Sequence, residues 1–134
     1  GIGFEDLIEQ LVEAIQSRKR LVIDVALDGA DDLAPDVKLV LYRITQEALN
    51  NTVKHAGASH VDIRLQHNHE GIYLNICDNG CGFDQSDIKS ASMGLGIMRE
   101  RAQSIGAQLA VDSTLGEGVA ISVRWRPPEG TTPA

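Results

Sequence analysis

IYLNICDNGCGF, residues 72–83, alternates apolar and polar side chains and then stops at an aspartate and two spaced glycines. Ile72, Leu74 and Ile76 share one parity, the period-two signature of a strand with one face in a core. Asp78 keeps that parity, so strand geometry aims its carboxylate at the same apolar face. A carboxylate there is costly unless something donates a hydrogen bond to it.

Upstream, Val61, Ile63 and Leu65 alternate in the same way, and HNHEG (67–71) reads as the turn of a hairpin between the two strands. Further out, Phe4, Leu7, Ile8, Leu11, Val12 and Ile15 recur at helical spacing and predict a helix over 4–18. Leu21, Ile23, Val25 and Leu27 predict a strand, and DGADDLAPD (28–36) a loop. Asp36 to His55 is helical, with Val37, Val40, Leu41, Ile44, Ala48 and Thr52 as its inner stripe and Gly57 as its stop. Residues 79–93 are polar and weakly patterned, a long loop of the kind that forms a lid. A third helix is expected from Leu95 to Ile105, and two strands, 108–112 and 118–125, flank STLGEG. The order predicts an α/β (α+β) two-layer sandwich: a mixed five-stranded sheet with three helices on one face.

The chain of 134 residues has the size of one domain, and 43% hydrophobic residues are enough for one core. Aromatics at 4% leave little to stack bases on, and a net charge of -7 opposes a phosphate backbone or an anionic membrane. Neither nucleic acid nor a membrane surface is therefore an expected partner. No apolar run reaches the roughly 18 residues of a bilayer span, and a cytoplasmic location is expected. Residues 1–126 form the expected domain, and 127–134 an expected disordered tail, in a chain that reads as a piece of something longer. Cys77 and Cys81 alone do not make a zinc site, since the histidines lack the spacing for one.

Three further stretches carry chemistry. In QEALNNTVKHAG (46–57), Glu47, Asn51 and Lys54 fall within an arc of about 60° at the usual 100° per residue, bordering the apolar stripe, and His55 lies next to Asn51. An acid, an amide and a cation in one row either line a cleft or form a solvated face. Two adjacent asparagines are poor helix formers, which weakens the purely structural account. In MGLGIMRERA (93–102), Gly94 and Gly96 stand where a helix is expected to start, and free amides at such a start bind phosphate. No G-K-[ST] P-loop is present. TLGEGVAISV (114–123) reads as a glycine-flanked hairpin. For Asp78 two readings stand: an Asx-turn to the following backbone, or a contact to a ligand donor such as a purine amine, with Gly80 and Gly82 allowing close approach of a flat base.

Taken in order, Glu-x-x-x-Asn-x-x-Lys-His, Asp-x-Gly-x-Gly, Gly-x-Gly and a final Gly-x-Gly resemble the ATP-binding domain of sensor histidine kinases. This is the GHKL superfamily with the Bergerat fold, and LYRITQEALNNTVKHAGAS looks most like its NarX- and DesK-like branch. The resemblance implies ATP and Mg²⁺ as cofactors. It implies Glu47 as the acid that polarises the nucleophile, and Asn51 as the Mg²⁺ ligand. It places Lys54 and His55 facing phosphates, and Asp78, Gly80 and Gly82 at adenine. Gly94, Leu95 and Gly96 would close a lid formed by 83–93. The partner it implies is a dimerisation domain bearing the phosphorylated histidine, with a response regulator beyond it. His60, His67 and His69 lie in a strand and its turn, so no histidine here is placed as that acceptor. Val119 stands where the family often has a threonine that helps read adenine; Thr114 or a backbone group is the expected substitute. Rival readings are an anti-sigma-factor serine kinase of the same superfamily and a non-catalytic docking module.

Overall fold

The computed structural model describes residues 3–80, 88–114 and 117–127. Gly82, residues 83–87 of the expected lid and the tail from residue 128 lie outside the described residues, as do the side chains of His55 and Thr114.

Helix α1 (Phe4–Gln16) buries Phe4, Ile8, Val12 and Ile15, one stripe at 3.6-residue spacing. Strand β1 (Val22–Asp28) follows, then one 3₁₀ turn at Ala30–Asp32 inside the segment expected as loop. Helix α2 (Pro35–Asn51) starts with proline in its first turn, where the missing N–H costs nothing. It continues as a π turn, Thr52–Ala56, and ends at Gly57 with positive φ. Strands β2 (His60–Asn68) and β3 (Gly71–Asp78) form the hairpin, its turn shortened to His69 and Glu70. Helix α3 (Ile88–Ser104) leads to β4 (Gln108–Thr114) and β5 (Gly118–Trp125).

The sheet order is β1-β2-β3-β5-β4, with β1 parallel to β2 and all other pairs antiparallel. The mixed five-stranded sheet with three helices is as expected. Ile23, Val61, Ile63, Leu65, Ile72, Leu74, Ile76, Ile121 and Val123 point from the sheet into one core, where Ile8, Leu41, Ile44, Leu49 and Met98 meet them from the helices. The outer face is polar: Asn75 Nδ2 donates to Ser122 Oγ at 2.9 Å, and His60 Nε2 lies 2.9 Å from Asp24 Oδ2. Cys77 lies on this face, opposite Asp78, with its thiol donating to Asn75 Oδ1 at 2.7 Å.

One expected boundary is overturned. Helix α3 begins at Ile88, not at Leu95, so the later part of the expected lid is helical and Gly94 and Gly96 lie inside a helix. Their amides therefore fall within the helical ladder, not at an open start. Glycine is a weak helix former, and from sequence the pair reads as a boundary. Tertiary contact reverses that: Gly94 is buried against α2, where its missing side chain permits a close approach.

Candidate functional site

β3 delivers Asp78 to the core face as its parity requires, opposite Val61 of β2. Its Oδ1 accepts from the Gly80 amide at 2.9 Å and the Val119 amide at 3.3 Å. Its Oδ2 lies 3.1 Å from Thr52 Oγ1. The Asx-turn reading is thus correct as far as Oδ1 goes, and Oδ2 is left facing α2. Asn79 does a separate job. Its Oδ1 accepts from the Ser59 and His60 amides at 3.0 and 2.9 Å, locking the end of β3 to the start of β2. Alternate residues of one turn therefore serve the site and the scaffold.

Gly118, at φ 94, holds the other wall. A side chain there would overlap the backbone carbonyl of Asp78, so only glycine lets β5 close on the aspartate. The sequence shows a glycine-flanked hairpin; the contact across the sheet is invisible in it.

From α2, Asn51 and Thr52 are buried, with 7% and 6% exposure, and they line one small cavity with Ala48, Ile76, Asp78, Val119 and Ile121. Its volume is about 10 Å³, room for a water and far less than a purine. A wider cleft of about 250 Å³ lies toward the opposite end of β3, around Tyr73, Arg124 and Trp125, away from every candidate residue. Asn51 Nδ2 is the one buried side-chain polar atom without a partner among the described residues. Such orphans are rare and call for an explanation. A half-turn of the amide puts its oxygen in the same place, a hard neutral ligand suited to Mg²⁺.

Glu47 is half-buried one turn before Asn51, and Gly94 rests on both: a Cβ on Gly94 would stand 2.7 Å from Glu47 Oε1 and 3.0 Å from Asn51 Nδ2. The solvated-face alternative fails on Asn51, which is buried, and no hydrogen bond joins Glu47 to Asn51 or Lys54 among the described residues. Lys54 is exposed, and it lies in the π turn, where i→i+5 bonding replaces the 100° spacing used to align it with Glu47. Gly80 is buried, Leu95 half-buried and Gly96 exposed. Thr52 is the residue that sequence reasoning missed. It counted as core because it falls on the inner stripe; its hydroxyl was the available signal.

A sheet of this topology, with a buried asparagine on α2 facing an inward aspartate at the end of β3, is the frame of a known family. The chain belongs to the histidine kinase-, DNA gyrase B- and HSP90-like ATPases, whose profile matches residues 36–129. It is 36% identical over 125 residues to the sensor histidine kinase LiaS of Bacillus subtilis, covering 92% of this chain and 34% of that protein. It is 32% identical over 123 residues to the signal transduction histidine-protein kinase/phosphatase DegS of Brevibacillus brevis, covering 91% of this chain and 32% of that protein. The chain thus spans about a third of the length of these curated relatives. The solved ATP binding domain of PrrB from Mycobacterium tuberculosis superposes with a TM-score of 0.69 at 20% identity, over 96% of each chain, and shares the fold.

Proposed function

We propose that this chain is the ATP-binding catalytic domain of a two-component sensor histidine kinase of the NarX- and DesK-like branch. It would deliver the γ-phosphoryl group to a histidine on a dimerisation domain elsewhere in the protein, with a response regulator as the later recipient, on the cytoplasmic side. The observation that carries this reading is the inward carboxylate of Asp78. Two backbone amides hold its Oδ1, while Oδ2 faces the cavity shared with Asn51 and Thr52.

In this reading Asp78 accepts a hydrogen bond from the exocyclic amine of adenine, beside Gly80. Asn51 supplies an amide oxygen to Mg²⁺, which fits its buried, unpartnered amide. Magnesium, when bound, neutralises charge on the phosphate oxygens. Lys54 adds an exposed cation near the phosphates, and His55 and Gly82 complete the assignment. Glu47 orients and polarises the incoming histidine. Because the cavity is narrower than a purine and Gly94 sits on Glu47 and Asn51, entry requires the first turns of α3, through Gly94, Leu95 and Gly96, to lift away.

The test is titration of ADP with and without Mg²⁺ against the wild type and Asp78→Asn. Binding at micromolar or weaker affinity, mostly lost in Asp78→Asn, is expected. Equal affinity in the variant removes the adenine assignment.

A further inference from the structure

We propose that Thr52, on the helix wall, does the work that a threonine at position 119 would do on the strand wall: it holds the cavity-facing oxygen of Asp78 in place for an amine-bearing base. The proposal rests on the adenine reading given above and adds a positioning residue to it.

The geometry assigns the two oxygens of Asp78 different neighbours. Oδ1 is held by the amides of Gly80 and Val119, both on the strand side. Oδ2 has one donor among the described residues, the hydroxyl of Thr52 at 3.1 Å. Val119 is buried in the same cavity, and its side chain offers only methyl groups to it. Among the described residues, Thr52 is the direct hold on Oδ2.

The Thr52 hydroxyl also lies 3.1 Å from the Ala48 carbonyl. It has one proton, so it donates to one of the two at a time. The Ala48 carbonyl keeps the Thr52 backbone N–H as donor in either case. Turning the hydroxyl hydrogen toward Asp78 therefore leaves no carbonyl orphaned, and an arriving base does not have to break the helix. Thr52 opens the π turn, a local widening that recurs at functional sites.

A carboxylate held this way accepts hydrogen bonds from a base that carries a donor. It gives little to a base without one. Thr52 should therefore set the preference for ADP over purine riboside 5′-diphosphate, which lacks the exocyclic amine.

The experiment measures the affinity of the chain for both nucleotides by calorimetry. Thr52→Val keeps the shape and removes the hydroxyl. It should weaken ADP binding by about twofold to tenfold, part of the worth of a hydrogen bond to a charged group, and leave the amine-free analogue unchanged. Thr52→Ser should restore the wild-type ratio. Val119→Thr in the Thr52→Val background should recover most of the lost discrimination from the opposite wall. Equal weakening of both nucleotides by Thr52→Val would mean a structural role and overturn the proposal, as would an unchanged ratio or a Thr52→Ser variant that behaves like valine. Asp78→Asn is measured alongside. If it loses ADP while Thr52→Val does not, this inference alone falls. If Asp78→Asn binds ADP normally, the adenine reading and this inference fall together.

Discussion

Cys77 and Asp78 are adjacent, and strand geometry sends them to opposite faces. Partial burial raises the Cys77 thiol above its ordinary value of 9.0, and the nearby carboxylates of Asp62 and Asp78 raise it further. The folded chain therefore holds this proton more tightly than the unfolded chain does. Stability linked to the thiol is complete below pH 9.0 and is lost as the pH rises through the folded value. Cys77→Ser should flatten that alkaline loss, read as the difference between variant and wild type in urea unfolding on either side of pH 9.0. Parallel curves would show that the thiol is not linked to folding. Asn79, two atoms of which clamp β2 and β3 together, shows the same division of labour one residue further on.

At the scale of the element, α3 is defined by what it leans on. Gly94 and Gly96 sit in the same helix and have the same intrinsic cost of about 1 kcal/mol against alanine. Their surroundings differ. Nothing lies within 4 Å of a side chain added at Gly96, whereas one at Gly94 meets Glu47 and the packed amide of Asn51. Gly96→Ala should therefore raise the melting temperature by a few degrees, and Gly94→Ala should lower it and speed hydrogen exchange along the first turns of α3. Stabilisation by both would show that Gly94 is not a seat. The seat matters for the proposed function because the same contact covers Glu47 and Asn51, the residues proposed for the nucleophile and for magnesium.

For the whole molecule, the sheet supplies one wall of the cavity and the end of α2 the other. Residues from three separate segments, β3, β5 and the end of α2, meet at one cavity because β5 inserts between β3 and β4 in the sheet order. No helix among the described residues is long and apolar enough to cross a membrane. On the proposed function, a second domain presents the histidine. Glu47→Ala should leave ADP affinity nearly intact, since Glu47 does not line the cavity beside Asp78, yet abolish phosphoryl transfer once a histidine-bearing dimerisation domain is supplied. Transfer at the normal rate would leave Glu47 without a catalytic role.

Parity and helical spacing are local properties, and they were enough to place the strands, the first two helices, the hairpin and the inward aim of Asp78. The order of the motifs was enough for the family. The sequence could not reveal that Gly94 belongs to the middle of a helix, because propensity favours a break there and only the packing against Glu47 and Asn51 reverses it. Nor could it reveal that Thr52 reaches Asp78 or that Gly118 makes room for it. Those contacts join residues 26 and 40 positions apart, and their meeting depends on how α2 lies across the sheet and on β5 pairing with β3. Local chemistry selects each element, but the distances between elements are set only when a common core is packed.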